Sequence, residues 1–248
     1  MEKNNKGLLI TLIVLLSIIA LLLSGIFTFA LISGTHSISA FIPKKTQTIF
    51  DQSYNAEEIK NITIDSDAGD ITIKNSNDGK IRLTANGINS DRFDAEADGN
   101  TLKISSSKLD KMNLFGLAQR SIGPDIVIYV PTVMDSVSIT SNMGNVEIEN
   151  ELVTSLTVDN DMGNIEAEKL GGSFDLNTNM GNIEIEKINI TANSNATTNM
   201  GDIDIERTNE VNIYAKTSMG DSDVKDNTPT ASVMLTAETD MGSIDIND

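Results

Sequence analysis

The sequence predicts an all-β fold: a parallel β-solenoid of about 19 residues per coil, preceded by one N-terminal transmembrane helix. Three observations predict it. A Met-Gly motif recurs six times at nearly constant spacing. Apolar and polar residues alternate with period two around each copy. An uncharged run of 25 residues, Leu8 to Ile32, precedes all of this.

The first element is a short head, residues 1–7, carrying Lys3 and Lys6. The second is the run 8–32, in which 18 residues are Leu, Ile, Val or Phe. As a helix rising ~1.5 Å per residue it is roughly 37 Å long, enough to cross a hydrocarbon core of about 30 Å with some tilt. A signal-peptide core is usually only about 7–15 residues long, so the run reads as an anchor; cleavage near Ser39-Ala40 is the alternative. Positive charges close to a span stay inside, and Lys44 and Lys45 stand well beyond its far end. The expectation is a single-pass protein of the cell membrane, N-terminus cytoplasmic and ectodomain extracytoplasmic. Residues 33–54 lack a hydrophobic period and read as a stalk or linker.

The third element, 55–248, is the ectodomain, less regular over 55–135 and regular over 136–248. Short alternating runs at Ile62–Ile64, Ile71–Ile73, Ile81–Thr84, Phe93–Ala95 and Leu102–Ser105 read as strands separated by Asn, Asp and Gly turns. Residues 106–124 show no alternation and read as an insertion or long loop, with a short helix as an option. Asp125–Val130 is a buried strand ended by Pro131.

The regular half contains the six motifs. Their methionines are Met143, Met162, Met180, Met200, Met219 and Met241, with spacings of 19, 18, 20, 19 and 22 residues. An outlying relative is Asp67-Ala68-Gly69-Asp70-Ile71. Most copies have a second alternating run before the Met-Gly, such as Leu156–Asp159 and Phe174–Asn177. Two short strands cannot bury an apolar face alone, but stacked coils with strands about 4.8 Å apart can. The Gly is expected at a corner with positive φ, and the Met as an apolar corner filler. The last coil, one strand past Met241, is expected to end the stack. Such an end invites strand addition or docking of a partner or second copy, and Ser222, Asp223 and Lys225 polarise the coil before it.

An Ile-Val-Ile-Tyr-Val-Pro strand followed by repeated Gly-Asn-Ile-Glu-Ile coils resembles the DUF4097 family of β-strand-repeat proteins, whose members also carry the label putative adhesin. A membrane span before such an ectodomain is similar to the LiaG-type members, which accompany cell-envelope stress operons in Gram-positive bacteria. The resemblance covers roughly residues 55–248. It implies a membrane-anchored envelope protein and carries no catalytic residues to transfer.

Composition narrows the chemistry further. The chain has no Cys, one His and a formal net charge of −18. There is no thiolate site and no poly-His metal site, and an acidic chain repels phosphate backbones, which excludes nucleic acid as a partner. In stacked coils the outward residues form columns. One is Glu147, Glu166, Glu184, Asp204, Asp223, Asp245; the next is Glu149, Glu168, Glu186, Glu206, Lys225, Asn247. Like charges 4.8 Å apart repel by roughly 0.9 kcal/mol per pair in water. Lys169, Lys187 and Arg207 at strand ends are expected to offset part of this. The column reads as a solvated face, a weak Ca²⁺- or Mg²⁺-recruiting face, or a landing surface for cationic peptides, wall polymers or envelope proteins.

No catalytic, cofactor-binding or metal-ligating residue is assigned, and no cofactor is expected. The predicted function is a non-catalytic envelope interaction or scaffold module; the resemblance alone adds a place accessory to envelope stress. The alternative is a carbohydrate-active β-helix enzyme, which would need two carboxylates converging across a cleft. Only 106–124 could wall a pocket, with Lys108, Asp110, Lys111 and Arg120.

Overall fold

Ile, Val and Thr at every second position favour strands with one buried face. The computed structural model describes residues 46–87, 92–107, 123–131, 133–149, 153–207 and 209–247. All lie in one unit, Thr46–Asp248. The predicted span 8–32 and nearly all of the segment 106–124 fall outside the described residues.

The irregular half holds β1 (Gln47–Asn55), β2 (Asn61–Ser66), β3 (Ile71–Asn75), β4 (Lys80–Gly87), β5 (Phe93–Asp98), β6 (Thr101–Ser106) and β7 (Asp125–Val130). The regular coils are pairs. They are β8 (Met134–Met143) with β9 (Val146–Ile148), β10 (Val153–Met162) with β11 (Ile165–Ala167), and β12 (Leu170–Met180) with β13 (Ile183–Ile190). Then follow β14 (Ser194–Met200) with β15 (Ile203–Arg207), β16 (Asn212–Met219) with β17 (Ser222–Val224), and β18 (Met234–Met241) with β19 (Ile244–Asn247).

The strands before each corner make one ladder, β5-β6-β2-β8-β10-β12-β14-β18-β16. Those after it make a second, β1-β4-β7-β3-β9-β11-β13-β15-β19-β17. Pairing between coils is parallel throughout, as predicted, and antiparallel only at β5–β6, β7–β4 and β4–β1. Leu170–Gly172 pairs with Ile188–Ile190, which joins the two ladders into one continuous solenoid-like sheet. Both ladders turn their inward side chains into one core.

The coils are not stacked in chain order. At one end β18/β19 lies between β14/β15 and β16/β17, so the last coil is inside and the penultimate one is the edge. At the other end β2/β3 lies between β6/β7 and β8/β9. The expectation that the last coil ends the stack is therefore corrected. A repeat motif specifies a rung but not its neighbours; burial decides those. The last coil contributes Leu235, Ala237, Ile244 and Ile246, all buried to within 1% exposure. The penultimate coil has Ser222 where the rung beneath has Ile244, and its Asp223 and Lys225 are exposed. Polar residues suit an unpaired edge and apolar ones do not. Arg207 anchors the exchange. Its buried guanidinium donates to the Lys225 and Asp226 carbonyls at 2.9 and 3.0 Å, where the chain turns back.

The corners follow from close packing. A Cβ on Gly163 would stand 2.1 Å from the Gly144 carbonyl oxygen, and Gly163 has φ +139°. The same contact repeats up the column in spatial order, ending with Gly242 on Gly201 and Gly220 on Gly242. The outlying Gly69 is a true member, lying under Gly144. Inside four of the corners a threonine hydroxyl holds the glycine carbonyl of a neighbouring rung, and in the Met162 rung the Asn160 amide does so. Thr178 Oγ1 donates to Gly163 O at 3.1 Å, Thr198 to Gly181 O at 2.9 Å, and Thr239 to Gly201 O at 3.0 Å. Outside it, side-chain oxygens cap the next backbone N–H. Asn145 Oδ1 accepts from Asn164 N at 2.9 Å, and Asn164 Oδ1 from Asn182 N at 3.0 Å.

β1 begins inside the segment predicted as a stalk. It is mostly exposed on both faces, so no alternation betrays it, and its backbone pairing with β4 holds it in place. Phe50 on β1 meets Phe93 on β5 with ring centroids 5.0 Å apart, bridging the two ladders at this end. Of the segment 106–124 the described residues before β7 resume at Gly123, which lies against the corner of the next rung. Its Cβ would lie 1.8 Å from Ala68 O.

Candidate functional site

Strand alternation and parallel register together write the outer face. Glu166 pairs with Glu147 and with Glu184, Glu184 with Asp204, Asp204 with Asp245, and Asp245 with Asp223. The predicted column exists, with its last two members exchanged. Thr72 extends it beyond Glu147, and the Thr72 hydroxyl lies 3.5 Å from Glu147 Oε2. Burial, then the neighbouring Asp245 and Glu206 carboxylates, push the Asp204 carboxyl above its ordinary value. Loss of water disfavours the charged form first, and like charges on the next strand and two residues along its own strand add to it.

The second acidic column is less continuous. β11 stops at Ala167, so Glu168 leaves the ladder. At one end Lys74 Nζ binds Glu149 at 2.6 Å, and that bond holds the Lys74 ammonium above its ordinary value. At the other, Lys225 Nζ donates to Asn247 Oδ1 at 2.6 Å. Lys187 is exposed, as expected of a residue offsetting this face, but Arg207 is not there. It is buried because its guanidinium satisfies backbone carbonyls.

The methionines form a third column. Met162 pairs in register with Met143 and Met180, Met200 with Met180 and Met241, and Met241 with Met219. They are not core fillers: Met162, Met180, Met200 and Met241 are 39–44% exposed and Met219 63%. Strict alternation from Leu156, Val158 and Asn160 would put Met162 inside. The glycine corner breaks the period one residue early and swings it out. No periodicity argument finds this stripe, although the invariable Met-Gly pairing marks it.

A cleft of about 340 Å³ lies beside β5 and β6, lined by Asp65, Asp67, Arg92, Phe93, Asp94 and Ser105–Ser107. Its lining includes three carboxylates and one arginine, a feature the sequence did not reveal because Arg92 follows a run without alternation. Asp67 is already engaged, accepting from Asn142 Nδ2 at 2.9 Å. The four polar residues predicted to wall a pocket, Lys108, Asp110, Lys111 and Arg120, lie outside the described residues. Among the described residues no three His, Asp or Glu side chains converge on a point where a metal ion could sit. The carboxylates of the main column stand one per rung along a line rather than facing each other.

Comparison with known proteins adds a family and a set of folds. The family model described as Toastrack DUF4097 matches residues 59–247. No curated protein matches the chain. Among solved structures, a putative cell adhesion protein from Clostridium sporogenes ATCC 15579 is 12% identical, with 82% of this chain and 99% of that one covered and a TM-score of 0.48. A putative adhesin from Bacteroides fragilis NCTC 9343 is 22% identical, with 83% and 98% covered and a TM-score of 0.46. A putative lipid binding protein from Parabacteroides distasonis ATCC 8503 is 13% identical, with 82% and 96% covered and a TM-score of 0.34.

Proposed function

The chain belongs to the Toastrack DUF4097 family, and from that premise we propose that it is a non-catalytic interaction module of the bacterial cell envelope. In this reading residues 8–32 anchor it in the membrane with the N-terminus cytoplasmic. The coiled unit stands outside and offers its acidic face to a cationic partner, a basic peptide or a basic segment of an envelope protein. The resemblance to LiaG-type members makes that role accessory to the cell-envelope stress response.

The observation that carries the reading is the outward column Glu147, Glu166, Glu184, Asp204, Asp245, Asp223, fixed in register by parallel backbone pairing. A rigid line of like charge is pre-organised for a polycation, because its repulsion is relieved on binding and little side-chain order must be imposed. Carboxylates in a line suit binding and do not suit acid–base work on one bond.

The test is binding of poly-lysine to the full chain in lipid nanodiscs made without anionic lipid. The expected result is binding that weakens steeply with salt and falls in the triple variant Glu166→Gln, Glu184→Gln, Asp204→Asn. Equal binding by wild type and variant overturns the reading. Protease protection of the Lys3–Lys6 head in sealed cells tests the orientation.

A further inference from the structure

We propose that the methionine stripe is a binding site for a soft monovalent cation of the copper(I) or silver(I) class, held between the thioethers of adjacent rungs. Six rungs in succession present one methionine each at the same corner, paired in register from Met143 to Met219. The fold does not require methionine there. Corner packing is set by the glycine, and the carbonyl is held by the inward Thr or Asn, while four of the methionines keep about two-fifths of their surface in water. A repeated, half-exposed apolar side chain that the core does not use calls for a ligand.

The ligand inventory selects the class. The chain has no Cys and a single His, and ten Met. Thioethers are soft donors that favour copper(I) over the oxygen-seeking Ca²⁺ and Mg²⁺. The spacing fits as well. Two metal–sulfur bonds of ~2.3 Å in line span about 4.6 Å, and strands repeat every ~4.8 Å. Two thioethers on neighbouring rungs can thus grip one ion in linear coordination without moving the backbone. Methionine's three rotatable bonds take up the remaining difference. Asp161 and Asp240 stand immediately before Met162 and Met241, so negative charge flanks the stripe and favours a cation over a neutral soft ligand.

The experiment uses the full chain in detergent, labelled with ¹³C-methyl methionine and titrated with silver nitrate in chloride-free buffer. Silver(I) is the probe because it shares the coordination chemistry and does not oxidise methionine. The methyl resonances of Met162, Met180, Met200 and Met241 should shift, while that of Met134, only 1% exposed, stays in place. Zinc should move none of them. The double variant Met180→Leu, Met200→Leu keeps the apolar volume and removes one of three separate in-register pairs, so the silver bound at saturation should fall by about a third. Stripe methyls that ignore silver overturn the proposal. So does a folded double variant that binds silver like wild type, since the stripe would then be an apolar surface only. The methyl pattern of the unaltered protein decides by itself if the variant does not fold.

Discussion

Met200 pairs in register with Met241 and not with Met219, the next methionine along the chain. The chain leaves the fourth regular coil, passes over an empty place, builds the edge, and returns to fill the gap with its last two strands. The C-terminal coil is therefore interior, and its burial should be felt in stability.

Leu235→Ala and Ile246→Ala should each cost about 2–5 kcal/mol, the range for emptying a packed site, although both lie close to the C-terminus. A last coil that merely frayed at the end of a stack would cost well under ~1 kcal/mol at the same positions. Urea unfolding followed by circular dichroism separates the two.

Arg207→Met should destabilise by about 2–3 kcal/mol, because the hydrogen bonds from a charged donor to the Lys225 and Asp226 carbonyls are lost. The same measurement applies. Hydrogen exchange should also show faster opening of the return segment 225–233 than of β10 or β12. Unchanged exchange there counts against Arg207 as the anchor.

Gly163→Ala should cost at least about 3 kcal/mol, the upper end of local backbone strain, since the new Cβ would strike the Gly144 carbonyl 2.1 Å away. Gly79→Ala serves as the control. Gly79 also has positive φ, +71°, but no atom lies within 4 Å of the position its Cβ would take, so only about 1–2 kcal/mol is expected. Equal losses at both sites would show that the corner is set by dihedral preference and not by contact.

Thr198→Val removes the hydroxyl that donates to Gly181 O while keeping the shape, and should cost about 1–3 kcal/mol for the carbonyl left without its donor. A thermal melt indistinguishable from wild type would remove the hydroxyl ladder from the account of the corners.

Asp204 supplies the pH test. Its folded-state affinity for a proton is raised by burial and by Asp245 and Glu206. The folded state therefore binds the proton more readily than the unfolded chain. The associated stability is present below the ordinary aspartate range and is lost as pH rises through the raised folded value. Asp204→Asn should melt higher than wild type at neutral pH, by less than ~1 kcal/mol per relieved pair, and the gap should close on acidification or in high salt. A gap that widens toward low pH contradicts this assignment.

What the sequence made legible was the rung. Period-two alternation in Leu156–Asp159 and Ile165–Glu168, with glycine between, sufficed to place both strands and the acidic column. Rung order was not legible, because Ile244 and Ser222 occupy the same motif position and only their relative burial sends one inward and the other to the edge. β14 was hard to see because Ser194, Ala196 and Thr198 fill the inward places where other coils have larger apolar groups. β1 was missed for the opposite reason: an edge strand held by backbone bonds buries little and shows no pattern. The exposed methionines escaped because counting by twos fails at a corner.

The exchanged coils also constrain how such a molecule can lengthen. Between Met143 and Met200 each lap sits on the one before it, so a duplicated lap inserted there would bring its own glycine, threonine and methionine and add one storey. Beyond those limits a duplicated lap would have to choose between two neighbours that are not adjacent in the chain. Descendants of different height should therefore vary in the middle and keep both closures.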